Sequence, residues 1–125
     1  MSSPLILVVE DDPSVRGLLH TLLAAQGYRV AVAADGLAGL VQASSTLPAL
    51  ILLDLMMPDL GGQRVLQELR ADPALAAVPV LVVTGKVDAV PALRAELGPG
   101  CVFAKPFAVD ELLVRIEEIT GGPPA

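Results

Sequence analysis

The sequence has no tryptophan, one tyrosine and two phenylalanines in 125 residues. Its core must be aliphatic, and the aromatic platforms on which single-stranded nucleic acids stack are excluded. One cysteine, Cys101, and one histidine, His20, rule out an internal disulfide and leave no Cys/His set for a structural zinc. Basic residues are scarce: eight Lys and Arg stand against fourteen Asp and Glu, a net charge of −6. That balance argues against direct nucleic acid binding through phosphate neutralisation and suits a cation better. Apolar residues make up 54%, yet every long run is broken by charge, Pro or Gly short of the roughly 18 residues a membrane-spanning helix needs. The start, "MSSPLILVVEDD", lacks the basic region and small-residue cleavage site of a signal peptide. The expectation is one soluble, cytoplasmic domain without a membrane segment over 1–120, with 121–125, "GGPPA", as a linker or ragged end.

What is present alternates. Apolar runs at Leu5–Val9, Arg29–Ala33, Leu50–Leu53, Val80–Val83 and Cys101–Ala104 predict five short strands. Between the first two, Val15, Leu18, Leu19, Leu22 and Leu23 recur at helical spacing, with Pro13 in the first turn and Gly27 at the C-terminal end. Further helices are expected at about Gly36–Ser45 behind an Asp35 N-cap, Gln63–Ala71, Val90–Leu97 and Val109–Ile119. Strands alternating with helices predict a doubly wound α/β fold, a five-stranded parallel sheet with helices on both faces. In such sheets ligands bind outside the carboxyl ends of the strands.

That edge is where the polar residues gather. Glu10 and Asp11 close the first run, Asp54 the third, Thr84 the fourth and Lys105 the fifth. Three adjacent acids, Glu10 to Asp12, repel one another: at ~4 Å each pair costs on the order of 4 kcal/mol at an effective dielectric near 20. Clustered carboxylates of this kind bind a hard divalent cation, most readily Mg²⁺. On this reading nothing else holds them apart before the cation arrives. The cation would also neutralise a phosphoryl group arriving on Asp54, an acyl-phosphate former. Lys105 would add charge for phosphate oxygens, and Thr84 a hydroxyl for the new group. Taken singly each residue has a plainer role: Asp12 before Pro13 is a helix cap, Asp54 a turn residue, Lys105 a solvated charge.

In this order, "ILVVEDDPSVR", "LLDLMMPDLGG", "VLVVTGK" and "FAKPF" resemble the receiver domain of two-component response regulators, over nearly the whole chain. The resemblance implies a flavodoxin-like sheet with strand order 2-1-3-4-5 and a phosphorylation-dependent signalling switch. It puts the acidic pair on Glu10 and Asp11, the phosphoacceptor on Asp54, the switch hydroxyl on Thr84 and the lysine on Lys105. The main-chain carbonyl of Met56 would be a further cation ligand, the Lys105–Pro106 bond would be cis, and the donor would be a sensor histidine kinase or histidine phosphotransfer protein. Turnover of external substrates is not implied.

The sequence departs from the family at the switch position, where an aromatic is usual and Val102 stands here, with Phe103 one place later. Side chains alternate faces along a strand, so Phe103 cannot substitute for it. Gly61 stands where Asp is common. Two other classes fit less well. A haloacid-dehalogenase-type hydrolase would need an acid two residues after Asp54, where Met56 stands; a binding module without phosphorylation would not need all five site residues.

Overall fold

The computed structural model describes residues 3–57 and 60–123. Met1 and Ser2 of the expected domain, Pro58 and Asp59 of the loop after Asp54, and the last two residues of the tail lie outside the described residues. In chain order the elements are β1 (Leu5–Val9), α1 (Pro13–Ala25), β2 (Arg29–Ala33), α2 (Gly36–Thr46), β3 (Leu50–Asp54), α3 (Gly62–Ala71), β4 (Val80–Thr84), α4 (Val90–Leu97), β5 (Val102–Ala104) and α5 (Val109–Thr120). The strands form one parallel sheet in the order β2-β1-β3-β4-β5.

The central strands read as unbroken apolar runs because both of their faces are covered. On one face Ile6, Val8, Leu50, Leu52 and Leu81 meet Leu19 and Leu23 of α1 and Leu112 and Ile116 of α5. On the other, Leu7, Val9, Ile51 and Leu53 meet Ala43 of α2 and Val65, Leu66 and Leu69 of α3. A smaller cluster, Val82, Val90, Leu93 and Val102, lies under α4. Phe103 packs with the α1/α5 side, so Val102 and Phe103 do face opposite ways.

Local chemistry sets the boundaries. Asp12 caps α1 by accepting from the Ser14 amide at 2.9 Å, and Asp35 caps α2 by accepting from the Ala38 amide at 2.8 Å. Gln26 is the residue that ends α1, and Gly27 follows it at φ +104, a backbone conformation that favours glycine. Two expectations need correction. Leu18 is 51% exposed, because Leu19 and Leu23 already fill the contact with the sheet and Leu18 lies around the helix from them. Cys101 is not in the last strand: Pro99–Cys101 form a 3₁₀ turn, tied to α5 by Arg115 Nε donating to the Gly100 carbonyl at 2.9 Å.

At the β2 rim the Ala33 carbonyl turns inward to accept from the Glu10 amide at 3.1 Å, so that of Val32 turns outward. There Gln42 of α2 donates to it through Nε2 at 2.6 Å. Among the described residues no helix is long and apolar enough to cross a membrane.

Candidate functional site

The parallel sheet brings Glu10, Asp11, Asp54, Thr84 and Lys105 to one edge, because each follows or ends a strand at its carboxyl end. Glu10 and Asp54 are 2% and 4% exposed and Thr84 is fully buried. One carboxylate oxygen from each of Glu10, Asp11 and Asp54 lies within 4.8 Å of the others, a spacing at which a single small cation can meet all three.

Lys105 corrects the expectation that nothing holds these acids apart. Its Nζ lies 2.6 Å from Glu10 Oε1 and 3.4 Å from Asp54 Oδ2, an ammonium bridging two buried carboxylates. Burial pushes the Glu10 carboxyl up to about 7, aided by its hydrogen bonding with Asp54 and opposed by Lys105. Burial disfavours the Asp54 anion too. Hydrogen bonding from Glu10 and the Met56 amide, together with the Lys105 charge, outweighs it and holds the Asp54 carboxyl below its usual range. For Lys105 burial opposes the charge, and its two carboxylate partners more than restore it. Glu10 Oε2 is buried with no hydrogen-bond partner among the described residues.

The remaining groups are fixed by the backbone. The Met56 amide donates to Asp54 Oδ1 at 2.9 Å, and the Met56 side chain is 54% exposed. The Lys86 amide donates to Thr84 Oγ1 at 3.0 Å, which leaves the hydroxyl proton of Thr84 for another acceptor. Gly62 opens α3 directly on the end of β3: a Cβ there would lie 2.3 Å from Leu55 Cα and 2.6 Å from the Asp54 carbonyl oxygen. Gly61, before it, has φ +80. The Lys105–Pro106 bond is cis. Val102 is 2% exposed in the cluster under α4. One residue that sequence reading passed over joins the edge: Arg16 of α1 donates through Nη1 to the main-chain carbonyls of Glu10 at 3.0 Å and Asp11 at 3.3 Å. Its place one turn into α1 is visible in sequence, but nothing there says that it turns back onto the loop.

Residues 6–117 match the response regulator receiver domain. The chain belongs to that family. This receiver domain is 37% identical over 117 residues to the DNA-binding dual master transcriptional regulator RpaA of Synechocystis, covering 93% of the chain and 48% of the relative. It is 40% identical over 112 residues to the DNA-binding response regulator MtrA of Mycolicibacterium smegmatis, covering 89% and 48%. It thus spans about half the length of these relatives. Among solved structures, the receiver domain of sensor histidine kinase PA1611 from Pseudomonas aeruginosa, which has a magnesium ion coordinated in its active-site cleft, superposes with a TM-score of 0.83 at 30% identity, covering 97% of this chain and all of that one. The bacteriophytochrome response regulator AtBRR superposes with a TM-score of 0.80 at 29% identity, covering 100% and 97%. The chain shares its fold with both.

Proposed function

We propose that Asp54 accepts a phosphoryl group from a sensor histidine kinase or histidine phosphotransfer protein, with Mg²⁺, and that the domain relays the event by changing conformation. The observation that carries this is the convergence of three carboxylates, two of them buried, and one ammonium on a single edge of the sheet. A carboxylate oxygen of Asp54 attacks phosphorus; the P–O bond forms as the donor's P–N bond breaks, and the electron pair leaves with the imidazole nitrogen, which takes up a proton. Glu10, Asp11, Asp54 and the main-chain carbonyl of Met56 would hold the Mg²⁺, a hard cation matched to oxygen donors, and Glu10 Oε2 offers it an unshared acceptor. When bound, the ion supplies charge neutralisation at the phosphoryl oxygens. Lys105 then turns from Glu10 and Asp54 to the new phosphoryl oxygens, and the Thr84 hydroxyl donates to another. Val102, at the switch position, receives the change behind Thr84.

On this reading the domain acts in the cytoplasm, turns over no external substrate and does not itself touch nucleic acid; the net charge of −6 supports the last point. The test is incubation with Mg²⁺ and a small acyl phosphate, followed by intact mass. Wild type should gain one phosphoryl group and Asp54→Asn none, with Asp11→Asn needing far more Mg²⁺. Equal labelling of Asp54→Asn would overturn the assignment.

A further inference from the structure

We propose that Arg16 is a positioning residue for the cation site: by holding the carbonyls of Glu10 and Asp11 it sets the direction in which the Asp11 carboxylate points. This rests on the reading of Glu10, Asp11 and Asp54 as cation ligands.

The loop between β1 and α1 consists of three consecutive acids, and they are held in three different ways. Glu10 is gripped through its side chain by Lys105, and Asp12 is occupied as the cap of α1. The Asp11 carboxylate accepts no hydrogen bond among the described residues, so the Cα–Cβ direction, set by its backbone, is what aims it at the cluster. The two peptide groups that flank the Asp11 Cα carry the carbonyls of Glu10 and Asp11. Arg16 Nη1 bonds both, at 3.0 and 3.3 Å. With both planes fixed, the Cα–Cβ direction between them is fixed as well. Arg16 can do this because α1 begins so abruptly: its own amide donates to the Asp12 carbonyl at 2.9 Å, which plants it one turn above the loop. Among the described residues it makes no ion pair with a carboxylate. Its charge thus eases the acidic run without occupying a cation ligand.

Two physical effects give opposite signs on removing this side chain, which makes the inference decidable. By Coulomb's law alone, deleting a positive charge beside a cation site strengthens cation binding. Loss of an orienting contact behind a ligand weakens it, typically by about 10- to 100-fold.

Titration calorimetry with MgCl₂ on the folded protein separates them. Arg16→Met should weaken Mg²⁺ binding by about tenfold. Arg16→Lys, whose ammonium can still reach one carbonyl, should recover to within about threefold of wild type. In acyl-phosphate labelling the Mg²⁺ concentration giving half-maximal rate should rise in step, while the rate at saturating Mg²⁺ stays within about twofold. Tighter or unchanged Mg²⁺ binding by Arg16→Met would overturn the inference, as would a loss that neither Lys nor saturating Mg²⁺ restores. Should Arg16→Met not fold, Arg16→Gln, which also removes the charge, decides: a loss of about tenfold supports the positioning role, and unchanged or tighter binding refutes it. Wild type and Asp11→Asn are the controls. If wild type takes up no Mg²⁺, the cation-site reading and this inference fall together; if Asp11→Asn loses binding while Arg16→Met keeps it, only the role of Arg16 falls.

Discussion

Helices α3 and α4 lie on the same face of the sheet on either side of β4, yet α3 buries Gly62, Val65, Leu66 and Leu69, whereas α4 buries only Val90 and Leu93. The entries to the two helices differ in the same sense. Gly62 sits against the Asp54–Leu55 backbone with no room for a methyl group, while nothing lies within 4 Å of where a Cβ on Gly85 would be. The residues from Gly85 to Asp88 are all exposed. One flank of the site is therefore tightly packed, with α3 against the Asp54–Leu55 backbone, and the other is loosely packed around the exposed loop that follows Thr84. The looser flank has more room for a rearrangement.

The sharpest way to break this comparison is to add one methyl group on each side. Gly62→Ala should cost about 3 kcal/mol through overpacking against backbone, lowering Tm by roughly 10 °C. Gly85→Ala should stay within about 0.5 kcal/mol. Thermal unfolding of both variants measures the difference, and similar losses would mean that the flanks are equally tight.

A second, smaller effect concerns the charge buried at the site. The Glu10 carboxyl is raised to about 7 in the folded chain, so between its ordinary value near 4.5 and about 7 the folded state holds more proton than the unfolded one. Stability from this group is present at low pH and is lost as pH rises through that window, by about 2–3 kcal/mol. Asp54, shifted down, acts oppositely and only at more acidic pH. Chemical denaturation with a chelator at pH 5 and pH 7.5 should show this fall in wild type, and Glu10→Gln should lack it. Parallel pH dependences would exclude Glu10 as the source.

The smallest effect refines the looser side. Val102 is stiff at its first side-chain torsion and has a methyl or two of contact to redistribute, about 1 kcal/mol. Between the unmodified and phosphoryl-mimic states, amide shifts should change most over Gly85–Val90 and less in β5 and α5. Val102→Tyr should extend the change into α5. The reverse ranking in wild type would contradict the assignment of the loose flank as the one that moves.

These contrasts were only partly legible in the chain. Leu5–Val9 and Leu50–Asp54 announce buried parallel strands through unbroken apolar runs, and the caps Asp12 and Asp35 follow from local side-chain chemistry, which short sequence windows carry. The acids and the lysine at the strand ends could be gathered onto one edge because a parallel sheet leaves them no other place. The Lys105–Glu10 bridge spans 95 residues, and no local pattern distinguishes an ammonium lodged between carboxylates from one waiting in solvent. Arg16 was missed for a related reason, since its partners are carbonyls, which every residue possesses. Leu18 was misassigned because helical spacing marks a stripe without giving its width.

The contact between Gln42 and the outward carbonyl of Val32 bears on how the molecule behaves among copies of itself. A bare sheet rim is a template onto which another chain can lay a strand. At β2 the amide of Gln42 already donates to the Val32 carbonyl at 2.6 Å, an acceptor that an incoming strand would need. Strand addition at the β2 rim is therefore hindered by one side chain from α2, which takes one of the outward acceptors of that edge.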